Sequence, residues 1–396
     1  MTESDPSTHP DAYHQRLLVP FDYPVLFVHN IFEAANPLLA DVLDRRRERR
    51  RHRVAVYVDA GLSAARPALM DQIKEYFHSR AEQLELASPP QIVPGGEEAK
   101  NGWQVVRDVM WTLGNLHLDR QSFVLAVGGG AMLDMVGFAT SLVHRGLRLV
   151  RVPSTVLAQN DAGVGVKTGM DEHGQKNFVG TFAPPFAVIN DLAMLDSLAD
   201  RDWIGGCSEA FKVALIKDAA FFDWLYDHAN ALARRDQAAM EHLVRRTAIL
   251  HLEHIATAGD PFEMGSARPL DFGHWAGHKL ETISRFRVAH GQAVAIGIAI
   301  DLVYAMSKGL LSRIELERAM EAMSACGLPL WDACLDERTA DGERAVLAGL
   351  EEFREHLGGR LTVTLPNGIG QKIEVHEMNS ELLAEAVEQL RERSLI

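Results

Sequence analysis

Cysteine is scarce in this chain, with three residues in 396. Cys207, Cys326 and Cys334 are odd in number and form no Cys-x-x-Cys pair, so neither a disulfide framework nor a thiolate zinc site is indicated. Long apolar runs are also missing, and the first segment, MTESDPSTHPDAYHQ, has no apolar core. We therefore expect a cytoplasmic protein that has no membrane partner.

Positive charge is in deficit as well. The chain has 40 Lys and Arg against 54 Asp and Glu, which gives a net charge of −14 and a pI of about 5.6. This balance argues against nucleic acid as a partner, and an anionic ligand would need a local basic pocket. A length of 396 residues with 47% hydrophobic content suits an average globular protein with two domains that share one cleft.

The common dinucleotide pattern GxGxxG is absent, yet a different glycine turn is present. An apolar run over Phe123–Val127 ends at Gly128-Gly129-Gly130, and apolar residues with helical spacing resume at Ala131. Backbone N–H groups of such a turn, with a helix N-terminus behind them, suit a phosphate or pyrophosphate. A tight strand-to-helix turn without a ligand explains a bare triplet equally well.

The residues that follow favour a binding site. A second strand-like run, Leu147–Val152, leads into a glycine-rich stretch that carries one carboxylate and two lysines. Its polar residues and glycines are Ser154, Thr155, Asp161, Gly163, Gly165, Lys167, Lys176 and Asn177. We expect a loop that binds an anionic, oxygen-rich ligand, because lysines act as point charges for phosphate.

The order of apolar patterns predicts two domains. Strands and helices alternate through about residue 192, which indicates an α/β domain with a mostly parallel, Rossmann-like sheet covered on both faces. Long helical periods dominate after Asp191, with one late strand-like piece at Leu361–Ile373. We therefore predict an α/β domain over 1–195 and an all-α domain over 196–396.

Two features of the first domain allow two interpretations. Asp59 directly follows the strand Val54–Val58, and it either binds ribose hydroxyls or caps the next helix. A helix is predicted over Ile31–Arg53, and it ends in the basic run RRRERRRHR. A solvated helix end is the favoured interpretation of that run over a phosphate-binding patch.

The helical half holds a set of residues typical of a metal site. His274 and His278 lie at positions i and i+4, and His290 directly precedes another helix. With Glu209, histidine nitrogens and a carboxylate oxygen make a three-ligand set typical of catalytic zinc. The pattern is not HExxH, which disfavours a peptidase. Isolated histidine pairs more often bind no metal, but the adjacent glycines permit close helix approach around a ligand.

Together these residues resemble the sugar phosphate cyclases, whose founding member is 3-dehydroquinate synthase. The resemblance covers about residues 90–370 and rests on the motifs GGGAMLDMVGFA, HRG, PSTVLAQND, VGVKTG, KNFVGTF, SEAFK, DFGHWAGH and AHGQAVAIG. It implies a dehydroquinate synthase-like fold in which an NAD-binding α/β domain faces a helical domain, and it implies a homodimer. It also implies NAD and a catalytic Zn²⁺ or Co²⁺, with Glu209, His274 and His290 as ligands.

The resemblance carries further roles to matching positions. Asp161, Lys167, Lys212 and His278 are the expected catalytic residues, and Asn177 is expected to bind substrate. Arg145 matches an arginine that reaches phosphate across a dimer interface in the family. The residues assigned to the NAD side are Asp59, Glu97, Lys100, Gly129, Gly130, Asp134, Ser154, Thr155 and Lys176.

The implied reaction turns a seven-carbon sugar phosphate into a carbocycle. NAD⁺ takes hydride from a ring hydroxyl, phosphate leaves by β-elimination, NADH returns the hydride, and an intramolecular aldol addition closes the ring. The metal acts as a Lewis acid, and NAD is regenerated in each cycle.

Several departures from 3-dehydroquinate synthases bear on the substrate. Asp271 replaces an asparagine, and Ala267 replaces an arginine, with Arg268 one position off. Glu253 replaces a lysine, and Gln292 replaces a glutamate. A late lysine segment becomes FREHLGG, which contains His356. We assign Asp271, Arg268, His356 and Glu253 to substrate binding, in a site that repels a carboxylate and accepts hydroxyls.

These changes resemble 2-epi-5-epi-valiolone synthases and predict a neutral ketose phosphate, such as sedoheptulose 7-phosphate, as the substrate. Three alternatives remain open from the sequence. The chain could be a genuine 3-dehydroquinate synthase, a metal-dependent polyol dehydrogenase of the glycerol dehydrogenase kind, or a non-catalytic ligand-binding homologue.

Overall fold

The computed structural model describes residues 13, 15, 17–173, 175–257, 262, 269–356 and 359–395. Arg268, which we assign to substrate binding, and the neighbouring Ala267 lie outside these residues. His356 is the last residue of a helix, Ala348–His356.

Nine strands lie in the first half of the described chain. They are β1 (Val25–Val28), β2 (His52–Asp59), β3 (Leu84–Leu86), β4 (Gln91–Val93), β5 (Phe123–Gly128), β6 (Arg148–Pro153), β7 (Lys167–Glu172), β8 (Gln175–Phe182) and β9 (Ala187–Asp191). Seven of them form one sheet in the order β1-β9-β6-β5-β2-β3, with β4 also paired to β2. Every pairing in this sheet is parallel.

Helices cover this sheet on both faces. They are α1 (Leu38–Leu43), α2 (Ala60–Ala65), α3 (Leu69–Ser79), α4 (Trp103–Asn115) and α5 (Gly130–Leu142). On β2, Val54, Val56 and Val58 pack into the core on one face, whereas Ala55 and Tyr57 pack into the core on the other. Burial on two faces explains why β2 and β5 are continuous apolar runs, and it confirms the predicted parallel α/β domain.

The second half is helical. Its helices are α6 (Asp200–Gly205), α7 (Cys207–Lys217), α8 (Ala219–Ala233), α9 (Gln237–Thr257), α10 (His274–Ile283), α11 (His290–Ser307), α12 (Arg313–Ala325), α13 (Ala348–His356) and α14 (Ser380–Ser394). Most of α11 is buried among the other helices. This helix is long and apolar enough to cross a bilayer, but 78% of it is buried inside the molecule, as in a core helix.

A small hairpin departs from the predicted all-α domain. The strand-like piece expected at Leu361–Ile373 forms two antiparallel strands, β10 (Val363–Pro366) and β11 (Lys372–Val375). The turn between them contains Gly368 and Gly370, both at positive φ, which explains the break in the strand. The second half is therefore helical with one hairpin.

The predicted helix over Ile31–Arg53 is wrong. Only α1 is helical there, and the following basic run is a loop that enters β2 at His52. Arginines four residues apart, such as Arg46 and Arg50, would repel each other on a helix, and the run has no apolar face to bury. Arg47 instead adopts a φ of 52°.

Two other predicted elements differ in detail. The apolar residues of Asp202–Ala219 have the spacing of one helix, but this stretch is divided into α6 and α7 at Gly206. A Cβ on Gly206 would lie 2.5 Å from Val156 Cβ, so a glycine is needed where the helices meet the α/β half. The glycine-rich loop expected after Asp161 contains an antiparallel hairpin of β7 and β8.

Candidate active site

The carboxyl ends of the central strands form a cradle lined by glycines. Asp59 ends β2, and its Oδ1 accepts hydrogen bonds from the N–H groups of Gly61 at 2.8 Å and Leu62 at 3.2 Å. A Cβ on Gly95 would lie 2.3 Å from both carboxylate oxygens of Asp59, and one on Gly128 would lie 2.7 Å from its Cβ. Asp59 thus caps α2, and a ribose contact by this carboxylate stays a prediction.

The first turn of α5 opens into the same cradle. Gly129 precedes this 13-residue helix, and a Cβ on Gly130 would lie 3.3 Å from Ala162 Cβ. Ser154 donates its N–H to the carbonyl of Gly128, and Thr155 Oγ1 accepts from the N–H of Ala158. The glycine backbone and the helix N-terminus together make a surface suited to a pyrophosphate.

A buried lysine lies beside this surface. Lys100 is 3% exposed, and its Nζ is 3.0 Å from Asp134 Oδ2 and also contacts Asn177 Oδ1. Burial lowers the pKa of Lys100, but Asp134 and Glu97 outweigh it and hold the pKa above its usual value. Residues from the turn before α4, from α5 and from β8 therefore meet at one charged cluster.

A second lysine joins the two halves of the chain. Lys176 Nζ is 3.0 Å from Glu97 Oε1 and 2.8 Å from Glu281 Oε1, which projects from α10. Glu281 is 2% exposed, and its other oxygen is 3.1 Å from His290 Nδ1. This contact chain links the glycine cradle to the helical half.

Glu209, His274 and His290 meet at the end of that chain. Their ligand atoms all lie within 4.8 Å of one another. His274 Nε2 is 3.7 Å and His290 Nε2 is 3.9 Å from Glu209 Oε1, and that oxygen accepts no hydrogen bond from the described residues. A buried carboxylate oxygen that accepts no hydrogen bond and faces two imidazole nitrogens is suited to bind a divalent cation. Three protein ligands would leave further coordination positions of the cation open.

Close helix packing places both histidines. A Cβ on Gly297 of α11 would lie 2.0 Å from the carbonyl oxygen of Gly273, which precedes His274. A Cβ on Gly291 would lie 2.2 Å from the carbonyl oxygen of Gly205. The helices approach closely beside both histidines, as the adjacent glycines predict.

A buried carboxylate from α11 fixes the start of α10. Asp301 Oδ1 accepts from Trp275 Nε1 at 2.8 Å, and its Oδ2 accepts from the N–H of Gly273 at 3.0 Å. Burial raises the pKa of Asp301 to about 7, although both hydrogen bonds oppose the shift. Asp301 therefore holds the two residues that flank His274.

The electrostatics suit metal binding. Burial and the charge of Lys212 lower the pKa of His274 well below its ordinary value, which keeps its imidazole neutral. The pKa of Glu281 falls to about 2, because His290 and Lys176 outweigh the effect of burial. An ionised Glu281 orients the imidazole of His290, as carboxylates do behind many metal-bound histidines.

Lys212 extends the centre toward Asp161. Its Nζ contacts Glu209 Oε2 and lies 3.7 Å from Asp161 Oδ1. Burial would lower the pKa of Lys212, but Asp161 and Glu209 outweigh it and keep the lysine positive, with Asp271 adding to the same effect. Asp271 therefore lies close enough to Lys212 for its charge to raise the pKa of the lysine.

Two residues of this arrangement were not found from the sequence. Glu281 lies three residues after His278, a helical spacing that could have signalled it. His251 Nδ1 is 2.9 Å from Asp161 Oδ1, and no motif around His251 marks it. The contact joins α9 to the helical turn Ala158–Ala162, which are about 90 residues apart in the chain.

Other predicted residues lie at the margin of the cluster or away from it. The rings of His278 and His274 are 5.4 Å apart, and Lys167 begins β7 with its side chain exposed. Glu253 is exposed, and it influences Lys217 rather than Lys212. Arg145 is exposed between α5 and β6, close to the amino end of β6. The glycine cradle lies at the other end of the strands.

Comparison with known proteins identifies the family. The family model described as 3-dehydroquinate synthase N-terminal matches residues 91–205, and the one described as 3-dehydroquinate synthase C-terminal matches residues 206–343. The division at 205/206 is the break between α6 and α7, ten residues beyond the predicted domain boundary.

Relatives agree in sequence and in fold. The chain is 36% identical to a 3-dehydroquinate synthase of Geotalea uraniireducens over 311 residues, which is 78% of this chain and 81% of the relative. It is 32% identical to that of Paracoccus denitrificans over 342 residues, or 86% and 90% of the two chains.

A solved structure, the 2-epi-5-epi-valiolone synthase ValA of Streptomyces hygroscopicus subsp. jinggangensis 5008 with NAD⁺ and Zn²⁺ bound, superposes with a TM-score of 0.85 at 29% identity. The match covers 96% of this chain and 100% of ValA. A 2-deoxy-scyllo-inosose synthase shares the fold, with a TM-score of 0.72 at 20% identity over 92% of this chain and 96% of the other. The chain thus belongs to the 3-dehydroquinate synthase family, within the sugar phosphate cyclase superfamily of enzymes.

Proposed function

We propose that the protein is an NAD- and metal-dependent lyase that eliminates phosphate from a seven-carbon ketose phosphate and closes the product into a carbocycle. We propose sedoheptulose 7-phosphate, or a sugar phosphate equally free of a carboxylate, as the substrate. The observation that carries the proposal is the joining of the glycine cradle and the Glu209–His274–His290 centre by one chain of ion pairs through Lys176 and Glu281.

The chemistry divides between bound groups and the chain's own residues. When bound, NAD would supply a reversible hydride acceptor and a zinc or cobalt ion would supply a Lewis acid. Glu209, His274 and His290 would hold the ion, and the first turn of α5 would hold the pyrophosphate.

Asp161 and Lys212 are placed to handle protons and charge. Burial raises the pKa of Asp161, but Lys212 and His251 outweigh it and keep the carboxylate ionised. Asp161 can therefore accept a hydrogen bond from a substrate hydroxyl and orient it. Lys212 remains positive in a buried position, where it can stabilise negative charge that develops on a nearby substrate oxygen.

Asp271 supports a substrate without a carboxylate. It lies close enough to Lys212 to raise the pKa of the lysine. The resemblance to 3-dehydroquinate synthases implies a neutral asparagine at the same position. An added negative charge there repels a substrate carboxylate and offers oxygens to sugar hydroxyls. The structural similarity to ValA supports the same choice.

A genuine 3-dehydroquinate synthase is the second candidate. The curated relatives with that name are up to 36% identical to this chain, and they support this candidate about as well. The two candidates differ in whether the substrate carries a carboxylate.

Phosphate release from two substrates separates the candidates. The purified protein should release phosphate and form a carbocycle from sedoheptulose 7-phosphate, with a higher kcat/KM than for the carboxylated sugar phosphate of 3-dehydroquinate synthases. Turnover of the carboxylated substrate alone would overturn the substrate assignment and leave the cyclase assignment standing.

We also propose a homodimer in which Arg145 serves the partner's site. The 13 residues of α5 span about 20 Å, and Arg145 follows the end of this helix that lies away from the glycine cradle. Its own cleft is therefore out of reach. Exposed Leu142, Phe178 and Phe182 lie on α5 and the adjoining β8 and provide apolar surface for a second copy.

A further inference from the structure

We propose that His251 is a positioning residue for Asp161, so that the contribution of α9 to the site is this histidine and not Glu253, which we assigned to substrate binding from the sequence. The inference rests on the proposed function, because it assigns Asp161 to the substrate hydroxyl.

The carboxylate of Asp161 contacts its neighbours through one of its two oxygens. Two side chains of the described residues contact this carboxylate, and both contacts use Oδ1: His251 Nδ1 lies at 2.9 Å and Lys212 Nζ at 3.7 Å. Because Asp161 is ionised, the imidazole nitrogen donates this hydrogen bond. Oδ1 therefore has a contact on each of two sides. Within the part of the chain that the structure describes, Oδ2 has no such contact, and it is the oxygen that we assign to the substrate hydroxyl.

The chain around Asp161 is closely packed and hydrogen-bonded. Asp161 lies in a π-helical turn, Ala158–Ala162, and such turns occur frequently at functional sites. Asn160 of this turn donates its side-chain N–H to the carbonyl of Gly206 at 2.9 Å. A Cβ on Gly163 would lie 2.4 Å from the carbonyl oxygen of Ala158, so the chain is closely packed directly after Asp161.

Packing also fixes α9 against this turn. Buried Ala248 of α9 packs with Val164 and Val188 in a small apolar cluster. The imidazole of His251 lies one turn further along α9, with its Nε2 3.5 Å from where a Cβ on Gly165 would be. The side chain of His251 is 16% exposed and that of Asp161 is 24% exposed, so the imidazole is the more buried partner of the pair.

Helix geometry explains why Glu253 does not fill this role. Residues two apart on a helix point in nearly opposite directions, because each residue turns the helix by about 100°. His251 faces Asp161, and Glu253 is exposed on the other side of α9, toward Lys217. The carboxylate of Asp161 thus receives a hydrogen-bond donor from α9 rather than a like charge.

Replacement of His251 tests this role. We expect His251→Ala to lower kcat for the ketose phosphate by about 10- to 100-fold with KM changed less than about threefold, because Asp161 loses its fixed orientation. His251→Asn should recover much of the loss, because its amide N–H₂ lies near the former Nδ1. His242→Asn provides a matched control on α9, since His242 is exposed and packs on Trp224.

Crystal structures of the two His251 variants give a readout that does not depend on turnover. The Asp161 carboxylate should rotate in His251→Ala and keep its orientation in His251→Asn. An unrotated carboxylate in His251→Ala overturns the proposal, as does a kcat equal to that of the unmodified protein. Failure of the unmodified protein to release phosphate would refute the proposed function alone, and the carboxylate orientation would still decide the role of His251.

Discussion

Glu281 shows how one side chain can couple two parts of a site. Its two oxygens contact His290 Nδ1 at 3.1 Å and Lys176 Nζ at 2.8 Å, in a position that is 2% exposed. The carboxylate therefore orients the imidazole of a proposed metal ligand and holds the lysine that reaches toward Glu97.

Replacement of Glu281 by glutamine should weaken metal binding. The amide keeps the shape but removes the charge that orients His290, so we expect the Kd for zinc to rise by about 10-fold or more. A competition titration with a chelating dye measures this change. Glu317→Gln, which removes an exposed carboxylate paired with Arg393, should leave the Kd unaltered, and equal Kd values for both variants would contradict the assignment.

Asp301 should make stability depend on pH. Its pKa of about 7 lies above the ordinary value of 3.8, so the folded protein binds this proton more tightly than the unfolded chain does. The contribution of Asp301 to the free energy of unfolding is therefore greatest below pH 4 and is lost as the pH rises toward 7.

Urea unfolding at pH 5 and pH 8 tests this dependence. From pH 5 to pH 8 the free energy of unfolding should fall less in Asp301→Asn than in the unmodified protein. The difference between the two decreases should be on the order of 2 kcal/mol. A difference near zero would mean that Asp301 ionises in the folded state as readily as in the unfolded one.

Sequence reasoning reached the proposed ligands and their neighbours because they lie in short motifs. His274 and His278 are four residues apart, and Glu209 and Lys212 are three apart, so their shared faces could be predicted from helical spacing. His251 could not be found in this way, since its partner Asp161 is distant in the chain and the contact depends on how α9 packs against Val164.

At the scale of elements, glycine contacts between helices shape the metal centre. The crossing of α10 and α11 leaves no room for a side chain at Gly297, because a Cβ would lie 2.0 Å from the carbonyl oxygen of Gly273. His274 starts α10 directly after that residue, so a shift of the crossing would move a proposed metal ligand.

Gly297→Ala should therefore affect both folding and the metal. We expect a loss of about 1–3 kcal/mol in the free energy of unfolding, together with weaker zinc binding. Gly114→Ala is the control, because Gly114 lies in α4 with nothing within 4 Å of an added Cβ, and it should be neutral or slightly stabilising. Equal behaviour of the two variants in both assays would contradict the account of the crossing.

The sheet was predictable because its strands are buried on both faces and read as apolar runs. The helix predicted over Ile31–Arg53 failed because charge repulsion and the lack of an apolar face outweigh the helix propensity of arginine. The split between α6 and α7 depends on the contact of Gly206 with Val156, which no local pattern reveals.

At the scale of the whole molecule, the proposed phosphate contact of Arg145 requires a second subunit. Arg145 is exposed at the edge of the sheet away from its own cleft, so its role in phosphate binding requires a partner. Arg145→Ala and Lys212→Ala should each be nearly inactive as pure dimers.

Mixing the two variants under conditions that exchange subunits tests this arrangement. Each mixed dimer holds one intact site, and half of the dimers are mixed, so we expect about a quarter of the original activity to return. Activity that stays at the level of the separate variants, despite verified exchange, would place Arg145 outside the partner's site.

The use of NAD distinguishes the proposed cyclase from a dehydrogenase with the same fold. The structural similarity extends to a protein described as a probable glycerol dehydrogenase from Sinorhizobium meliloti 1021, at a TM-score of 0.59 and 17% identity, which shows a shared fold alone. In the proposed cycle NAD is regenerated, whereas a polyol dehydrogenase consumes it in proportion to its substrate.

The most direct test is to follow phosphate and NADH together while the protein acts on sedoheptulose 7-phosphate with zinc and NAD supplied. The account predicts many phosphates released per protein molecule with no net accumulation of NADH, and loss of this activity in His274→Ala. Accumulation of NADH in step with substrate consumption, without release of phosphate, would contradict it.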